Sequence, residues 1–169
     1  WSTINLMSYM VLFHKNRAKF PVLTKVTDQI GSITTVTISV LSPQTVIKPH
    51  YGDTNGVIRA HLGLVVPDPA PTIALQVGDE ARGWVEGELL LFTIVQRHTA
   101  WSRSDKKRYV LLIDFVPKVL ASKQTEICAK TLGSQTYIFL YKRFGFFKYF
   151  PEFIASFMCL SFSALWMVL

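Results

Sequence analysis

Alternating hydrophobic and polar positions dominate the first two thirds of the chain, and they predict short strands. Residues 33–41 are rich in β-branched side chains and alternate, which is typical of a strand. Further strands are predicted at residues 57–65, 73–77, 81–85, 89–92 and 109–115. Closely spaced strands with turn residues between them indicate a sandwich or barrel, so we expect a mainly β fold.

The segment before the first of these strands has a less regular pattern. Residues 9–13 are apolar and indicate a short strand or a buried loop. Residues 22–30 have the spacing of a helix that ends before Gly31, with three apolar side chains on one face: Val22, Val26 and Ile30. The chain begins at Trp1 rather than at a methionine, and we expect the domain to be incomplete at its N-terminus.

The predicted strand at residues 57–65 carries unusual side chains on one face. Period-2 alternation places Val57, Arg59 and His61 together, and aliphatic residues lie on the other face. Burying a cation and an imidazole costs on the order of several kcal/mol unless a partner compensates. The alternation therefore predicts an anionic ligand, a metal, or both beside this strand.

Four short motifs connect this strand with a distant histidine. They are Pro-His-x-Gly-x-Thr-Asn at 49–55, Arg-x-His-Leu-Gly-Leu at 59–64, Trp-x-Glu-Gly at 84–87 and His-x-x-Trp at 98–101. Together they resemble the aspartyl/asparaginyl β-hydroxylase family of iron(II)- and 2-oxoglutarate-dependent dioxygenases. The resemblance implies a double-stranded β-helix, the cupin-like jelly roll, for residues 1–117.

The resemblance implies that His50 and His98 bind Fe(II). Such oxygenases usually take a carboxylate two residues after the first histidine, and this chain has Gly52 there, as the resembling family does. Asp53 is an alternative ligand only if the turn folds it back toward the metal. The alternative for the two histidines is a pair of core imidazoles with satisfied hydrogen bonds.

The resemblance also implies contacts to the cosubstrate 2-oxoglutarate. Arg108 is expected to pair with its distal carboxylate, because a guanidinium group forms a planar bidentate pair with a carboxylate. Ser39 is expected to contact the same carboxylate, and Arg59 and His61 the metal-chelating end or its surroundings. The alternatives are a surface position for Arg108 and a structural buried pairing for Arg59 and His61.

The implied activity is hydroxylation of an aspartyl- or asparaginyl-type substrate, or of another small or lipid-linked molecule. One departure from the family concerns residues 93–97, where Thr-Ile-Val-Gln-Arg replaces the usual acidic residues. Acidic groups near a metal orient its ligands, so their absence makes turnover doubtful. The alternatives are a catalytically impaired jelly-roll binding module or a membrane-associated scaffold.

The composition of the chain indicates which partners and which cellular compartment to expect. Lys and Arg outnumber Asp and Glu by 18 to 11, but within residues 1–117 no basic run is interleaved with stacking aromatics, so nucleic acid is not an expected partner. The partner we expect is a small-molecule or peptidyl substrate.

The two cysteines, Cys128 and Cys159, have no disulfide or zinc spacing, which indicates a reducing, cytoplasmic compartment. The oligomeric state has no signature in the sequence.

Residues 118–169 form a tail of different character. Residues 118–130 are predicted to be helical, residues 137–150 are dense in aromatics and cations, and residues 153–169 are uncharged. This pattern predicts an apolar helical tail, with membrane association through residues 137–169 that would keep the domain cytoplasmic. The alternatives are a helix buried against the domain or a partner, and a misread gene end.

Overall fold

The computed structural model describes residues 1–168, and it divides the chain into two compact units. The first unit is Trp1–Lys118 and is built mainly from strands. The second begins at Val119 and is helical. Leu169, the last residue of the predicted tail, lies outside the described residues.

The first unit combines strands with two short helices near its N-terminus. In chain order its elements are β1 (Ser2–Ser8), β2 (Val11–Leu12), α1 (His14–Arg17), α2 (Pro21–Asp28), β3 (Ile33–Leu41), β4 (Thr45–His50), β5 (Ile58–Val65), β6 (Ile73–Val77), β7 (Glu80–Arg82), β8 (Leu89–Thr93), β9 (His98–Ser102) and β10 (Arg108–Phe115). The mainly β architecture predicted from the alternation is confirmed.

The strands form two antiparallel sheets whose connectivity identifies the fold. One sheet has the order β2-β1-β3-β10-β5-β8, and the other has the order β4-β9-β6-β7. From β3 to β10 the chain moves back and forth between the sheets, so each sheet receives four of these eight strands. This is the topology of a double-stranded β-helix, and the predicted jelly roll is therefore confirmed.

The larger sheet buries apolar side chains on its outer face. This core consists of buried residues from β1, β3 and β10, which are Leu6, Met7, Ile33, Val36, Ile38 and Leu111. Phe20 and Leu23 pack against it from the region of α2, whereas Val22 and Val26 on the predicted apolar face are exposed. Because the outer face supplies this core, the inner face can hold polar side chains.

Two predicted strands have different boundaries in the structure. The strand expected at residues 81–85 is β7, Glu80–Arg82, since the chain leaves the sheet before Trp84 and buries that ring. Near the N-terminus, the expected strand or loop at residues 9–13 contains only the two-residue β2, and the longer β1 precedes it. β1 pairs antiparallel with β3, with Thr3 opposite Ser39 and Asn5 opposite Thr37.

The helical unit consists of two long helices that pack together. Its elements are the 3₁₀ helix Lys118–Lys123, α3 (Gln124–Arg143), the 3₁₀ helix Gly145–Tyr149 and α4 (Glu152–Val168). A Cβ atom at Gly133 would lie 2.7 Å from the Cys159 carbonyl oxygen, so glycine lets α3 approach α4 closely. Within residues 1–168, none of the helices combines the length and the apolar character needed to cross a membrane.

Candidate active site

The structure brings His50 and His98 together on the inner face of the smaller sheet. His50 ends β4, His98 begins β9, and the two residues are paired directly across the strands. Their ring centroids are 4.2 Å apart and the rings are tilted by 53°. His98 is buried, whereas His50 is exposed at the open end of the sheet.

A β-bulge is responsible for this pairing. Ile47 lies opposite Ala100 and His50 lies opposite His98, so three steps along β4 match two steps along β9. In a strand of regular pitch, a residue three positions after Ile47 would lie on the opposite face. The bulge therefore aims the imidazole of His50 at that of His98, which is a common use of bulges next to functional sites.

Backbone carbonyl groups fix the orientation of both imidazoles. His50 Nδ1 lies 2.9 Å from the Lys48 carbonyl oxygen, and His98 Nδ1 lies 2.8 Å from that of Gln96. A carbonyl oxygen only accepts, so each Nδ1 carries the hydrogen and each neutral ring keeps its lone pair on Nε2. Burial, together with the nearby His50, lowers the pKa of His98, which favours the neutral, metal-binding form.

No protein carboxylate completes a three-residue metal site in the part of the chain that the structure describes. Residues 1–168 contain no group of three or more His, Cys, Asp or Glu side chains that could hold a metal, so Asp53 does not join the histidine pair in one. At Gly52, the amide donates to the Ile94 carbonyl oxygen at 2.7 Å, and an added Cβ would lie 2.5 Å from Ile94 Cβ. Ile94 therefore fills the space that a side chain at position 52 would need.

Arg108 begins β10 and is fully buried, with 1% of its surface exposed. Its Nε and Nη1 atoms are buried without a hydrogen-bond partner among the described residues, and its guanidinium carbon lies 4.5 Å from the centroid of the Trp84 ring. Burial lowers the pKa of Arg108 to about 10, so the group remains a cation at neutral pH. A buried cation with unused donors indicates an anionic ligand.

Arg59 has a protein partner that the sequence analysis missed. Its Nε and Nη2 atoms donate to the two carboxylate oxygens of Asp114 at 2.6 and 2.7 Å, and Asp114 is completely buried. Burial opposes the charge on Arg59, but the hydrogen bond and the charge of Asp114 outweigh it and raise its pKa. A contact between Arg59 and the cosubstrate remains a prediction. The Nη1 atom, which these two bonds do not use, is the donor available for it.

His61 supplies a second unused donor on the same face. Its Nδ1 accepts a hydrogen bond from Trp84 Nε1 at 3.2 Å, so the neutral ring carries its hydrogen on Nε2. That Nε2 atom is buried and has no partner among the residues described. Burial, followed by the charges of Arg59, Arg108 and His98, lowers the pKa of His61 well below its usual value.

Ser39 faces the same compartment from β3. It is buried, it lies directly opposite Val110 of β10, and its Oγ accepts a hydrogen bond from Trp1 Nε1 at 3.1 Å. Period-2 alternation puts Val110 on the face that carries Arg108. The structure thus brings Ser39, Arg108 and His61 to one inner face and places Trp1 beside them.

Several functional neighbours were given no role by the sequence analysis. Trp84, which entered only as part of the Trp-x-Glu-Gly motif, is buried and contacts both Arg108 and His61. Phe92 links the two parts of the site, because its ring centroid lies 5.1 Å from that of His61 and 5.4 Å from that of His98. The alternation along β10 could have revealed Asp114, since it shares the Arg108 face.

Sequence comparison connects this site with known hydroxylases. The model of the family described as aspartyl/asparaginyl β-hydroxylase matches residues 1–117. The chain belongs to this family. The matched residues contain the histidine pair and the buried Arg108, whereas the helical unit that begins at Val119 lies outside them.

Individual relatives match about seven tenths of the chain. The ornithine lipid ester-linked acyl 2-hydroxylase of Rhizobium tropici is 36% identical over 116 residues, covering 69% of this chain and 41% of that protein. Aspartate beta-hydroxylase domain-containing protein 2 of Mus musculus is 37% identical over 137 residues, covering 73% of this chain and 38% of that protein. The chain thus spans about two fifths of the length of these relatives.

A structural comparison finds cupin domains. The cupin domain of an XRE family transcriptional regulator from Enterobacter cloacae superposes with a TM-score of 0.46 and 11% sequence identity. The superposition covers 69% of this chain and 97% of that one. The assignment of this member of the β-hydroxylase family to the jelly rolls stands on its own strand order.

Proposed function

We propose that this protein is an iron(II)- and 2-oxoglutarate-dependent hydroxylase. The observation that carries the proposal is the joint placement, inside one β-roll, of two imidazoles with free Nε2 lone pairs and a buried guanidinium group with unused donors. The first feature suits a metal and the second suits a carboxylate. Membership of the β-hydroxylase family supports the same class of reaction.

The histidine pair fits Fe(II) as the resident metal. Imidazole nitrogen is an ordinary ligand of iron, and each ring is already held by a hydrogen bond from Nδ1 to a carbonyl oxygen. His50 and His98 would hold the metal through Nε2. The protein supplies two ligands here, so the remaining positions stay available to water and to the cosubstrate.

The inner face fits the dicarboxylate 2-oxoglutarate. Arg108 would receive the distal carboxylate on one edge of its guanidinium group, which would give an orphaned donor a partner and reduce the cost of burying it. The Ser39 hydroxyl and the His61 Nε2 hydrogen are further donors on this face. Asp114 already neutralises Arg59, so its carboxylate is not available to Arg108. The dicarboxylate would offset the charge of Arg108 instead.

The residues of the chain bind, orient and shield the reactants. When bound, iron and 2-oxoglutarate supply the oxidising chemistry that converts a C–H bond to C–OH with O₂, giving succinate and CO₂ as coproducts. His61 is held neutral by burial, so it donates from Nε2 without adding charge. Trp84 and Phe92 cover the two parts of the site with aromatic surface and exclude water.

The substrate class is taken from the relatives. The name of the Rhizobium tropici relative refers to an acyl chain of a lipid, and the family description refers to aspartyl and asparaginyl groups. We propose the same range here, an aspartyl- or asparaginyl-type substrate or another small or lipid-linked molecule.

The test is succinate release from 2-oxoglutarate by the full chain. We expect release to require Fe(II) and to fall by at least about 100-fold in His98→Ala, because one of two metal ligands is lost. The matched control is His14→Ala, which removes an exposed histidine of α1. Metal content of the purified variants, measured by mass spectrometry, separates loss of iron from loss of turnover.

A second variant tests the predicted binding site for 2-oxoglutarate. Arg108→Lys keeps the charge but loses the planar pair of donors, so KM for 2-oxoglutarate should rise by about tenfold or more. Arg103→Lys is the control, because Arg103 is exposed. Unchanged KM in Arg108→Lys, or undiminished succinate release in His98→Ala, would contradict the proposal.

A second candidate function is a binding module that keeps the pocket without turnover. It is favoured by residues 93–97, where apolar Ile94 is buried against Gly52 and the acidic residues usual in the family are absent. The same experiment separates the two candidates. Iron and 2-oxoglutarate that bind without succinate release would identify the binding module.

We also propose that the helical unit associates peripherally with a membrane surface on the cytoplasmic side. Large apolar and aromatic side chains are exposed on it, among them Phe139, Tyr149, Phe153 and Phe157. Lys142 and Arg143 lie at the end of α3, where they could meet anionic lipid head groups.

A further inference from the structure

The two sheets have four edge strands among the described residues, and three of these strands are protected against pairing. β2 has two residues, and β7 has three, Glu80–Arg82, with a charge at each end. β4 carries Lys48, Pro49 and the bulge before His50. Short length, charge, proline and bulges all hinder an edge strand from pairing with another chain. The fourth edge strand is β8.

The edge strand β8 has none of these protective features. Its sequence over Leu89–Thr93 is Leu-Leu-Leu-Phe-Thr, without a charge, a proline or a shift of register against β5. Leu89 and Leu91 lie on the outer face of the larger sheet and are 58% and 54% exposed. An uncovered apolar edge strand is a site at which a further strand can join a sheet.

The backbone of β8 presents a row of hydrogen-bonding groups at this edge. The Gly63 amide donates to the Glu88 carbonyl oxygen at 3.2 Å, and the pairing of β5 with β8 continues in the same register. Because backbone groups alternate in direction along a strand, Leu90 and Phe92 exchange hydrogen bonds with β5. The N–H and C=O groups therefore point away from the sheet at three residues, which are Leu89, Leu91 and Thr93.

A strand of polypeptide is the partner that fits such an edge. Lipid hydrocarbon offers no hydrogen bond to a row of N–H and C=O groups, so covering them with lipid would be costly. A further strand satisfies each of these groups and covers the exposed leucines at the same time. The remaining question is which strand joins the sheet.

We propose that two copies of this chain pair through β8, antiparallel and with Leu91 at the two-fold axis. The three residues whose backbone groups point outward are symmetric about Leu91. In this register Leu91 exchanges hydrogen bonds with Leu91 of the second copy, and Leu89 exchanges them with Thr93. The edge of β8 is thus complementary to itself.

No like charges oppose this pairing. Glu88 lies three residues before Leu91, so its carboxylates in the two copies would be about 20 Å apart at about 3.3 Å per residue, which exceeds the screening length in physiological salt. On the neighbouring edge, Arg82 and Glu80 of β7 form an ion pair and leave no net charge. An uncharged, self-complementary edge favours a second copy over a polypeptide that is recognised by its charges.

The second copy would lie beside a cavity that leads to the histidine pair. The cavity has a volume of about 560 Å³ and is lined by residues of β7 and β8, among them Leu90 and Phe92. The Phe92 ring is in edge contact with His98. In the proposed register Leu90 faces Phe92 of the second copy, so each copy adds apolar surface to the mouth of the other's cavity. The pairing itself does not rest on the proposed function.

Sedimentation velocity of the full chain, without iron or 2-oxoglutarate, tests the dimer. The wild type should change from monomer to dimer as its concentration rises. Leu91→Lys should raise the dissociation constant by at least about tenfold, because two like charges would face each other at the two-fold axis. Leu12→Lys is the matched control, since Leu12 is 41% exposed on the edge strand β2, and this variant should dimerise as the wild type does. Thermal unfolding checks that both variants are folded.

Disulfide cross-linking tests the register. Leu91→Cys should cross-link to itself, because Cα atoms of a hydrogen-bonded antiparallel pair are about 5.5 Å apart, within the range of a disulfide. Leu89→Cys should cross-link with Thr93→Cys when the two variants are mixed. It should not cross-link to itself, since its two copies would be about 13 Å apart along the strands. Leu12→Cys is the control for cross-links through the two native cysteines.

Three results would overturn the proposal. The first is a wild type that stays monomeric or aggregates without forming a dimer, which would leave the edge to a different polypeptide. The second is a dimer that Leu91→Lys does not weaken, because the contact would then lie elsewhere, for example on the helical unit. The third is self-linking of Leu89→Cys as efficient as its linking to Thr93→Cys, and this result decides the matter if Leu91→Lys does not fold. Neither measurement depends on succinate release, so the dimer and the proposed function can fail separately.

Discussion

The buried inner face holds more positive than negative charge. Asp114 neutralises Arg59 through two hydrogen bonds, and Arg108 is left as an uncompensated cation stacked on Trp84. His61 lies among these groups and loses its own proton more readily, because burial and both guanidinium groups disfavour a further charge. At the scale of single residues, the face is therefore prepared to receive an anion.

The depressed pKa of His61 predicts a loss of stability in acid. The unfolded chain binds a proton at His61 below pH 6.5, whereas the folded protein does not, so unfolding becomes more favourable as pH falls. Between pH 7.5 and pH 5.5 this residue should cost about 1 kcal/mol of the free energy of unfolding. Urea denaturation of the wild type and of His61→Gln at the two pH values measures the difference.

The control for this measurement is His14→Gln, which changes an exposed histidine on α1 and should retain the wild-type response to pH. A His61→Gln protein that loses as much stability in acid as the wild type would contradict the predicted effect. His98 remains in all three proteins, so its own contribution cancels in the comparison.

The motifs indicated which side chains have the chemistry of ligands, but they did not indicate which protein groups pair with the neighbouring side chains. His50, His98 and Arg108 were chosen because their side chains suit a metal or a carboxylate, and the structure places all three on inner faces. The pairing of Arg59 with Asp114 depends on the register between β5 and β10, which are far apart in the chain. The bond between Trp1 and Ser39 depends on β1 joining the sheet, which the local pattern did not predict.

At the scale of elements, contact between the turn after β4 and the segment after β8 shapes the metal site. An added Cβ at position 52 would lie within 2.6 Å of three side-chain atoms of Ile94, which is itself only 1% exposed. The contact couples the two segments. It also prevents a carboxylate at position 52 from reaching the histidine pair without movement of Ile94.

Gly52→Ala should therefore destabilise the protein by about 1–3 kcal/mol through overpacking. Ile94→Ala removes two of the three close atoms, so the double variant should be more stable than the sum of the single effects implies, by about 0.5–3 kcal/mol. Chemical denaturation of the four proteins in the cycle gives this coupling. Additive effects would show that the two residues are not in contact.

Gly31→Ala is the matched control for the single substitution. No atom lies within 4 Å of the Cβ that it would add, and we expect its free energy of unfolding to stay within about 0.5 kcal/mol of the wild type. A comparable loss at both glycines would attribute the effect to backbone entropy rather than to Ile94.

The strands could be predicted where the local pattern alone decides them. β3 was predicted with its observed bounds because β-branched residues alternate throughout Ile33–Leu41. β7 was predicted too far along the chain, since Trp84 continues the alternation but is drawn inward by His61 and Arg108. α2 was predicted as a helix, although its apolar spacing suggested a different face from the one that Leu23 buries.

At the scale of the whole molecule, the first unit and the helical unit differ in how much of their structure the sequence predicted. Strand spacing and the family motifs were sufficient to predict a jelly roll, but they could not assign each strand to a sheet. The helical unit was predicted as a helix at residues 118–130, an interfacial segment and an apolar helical tail, and α4 corresponds to that tail. Its α3 instead continues without a break to Arg143, because no helix-breaking residue interrupts this stretch apart from Gly133, which packs against α4.

The membrane proposal predicts that the full chain sediments with lipid vesicles. Phe157 is 69% exposed on α4, and Phe157→Ser should weaken binding to vesicles that contain phosphatidylserine by about tenfold. Phe13→Ser is the matched control, since Phe13 is 38% exposed in the first unit. Equal sedimentation of both variants, or no binding to anionic vesicles, would count against the proposal.

The bulge before His50 has a consequence for protein engineering. Transferring residues 47–50 with their spacing onto a strand of regular pitch would carry the first imidazole to the outer surface, since residues on one face of such a strand recur at every second position. The graft must therefore include the bulge or move the histidine by one position. Conversely, deleting Lys48 alone would leave His50 two residues after Ile47 and still on the inner face, whereas deleting both Lys48 and Pro49 should abolish iron binding, because it turns the imidazole to the outer face while leaving every ligand type intact.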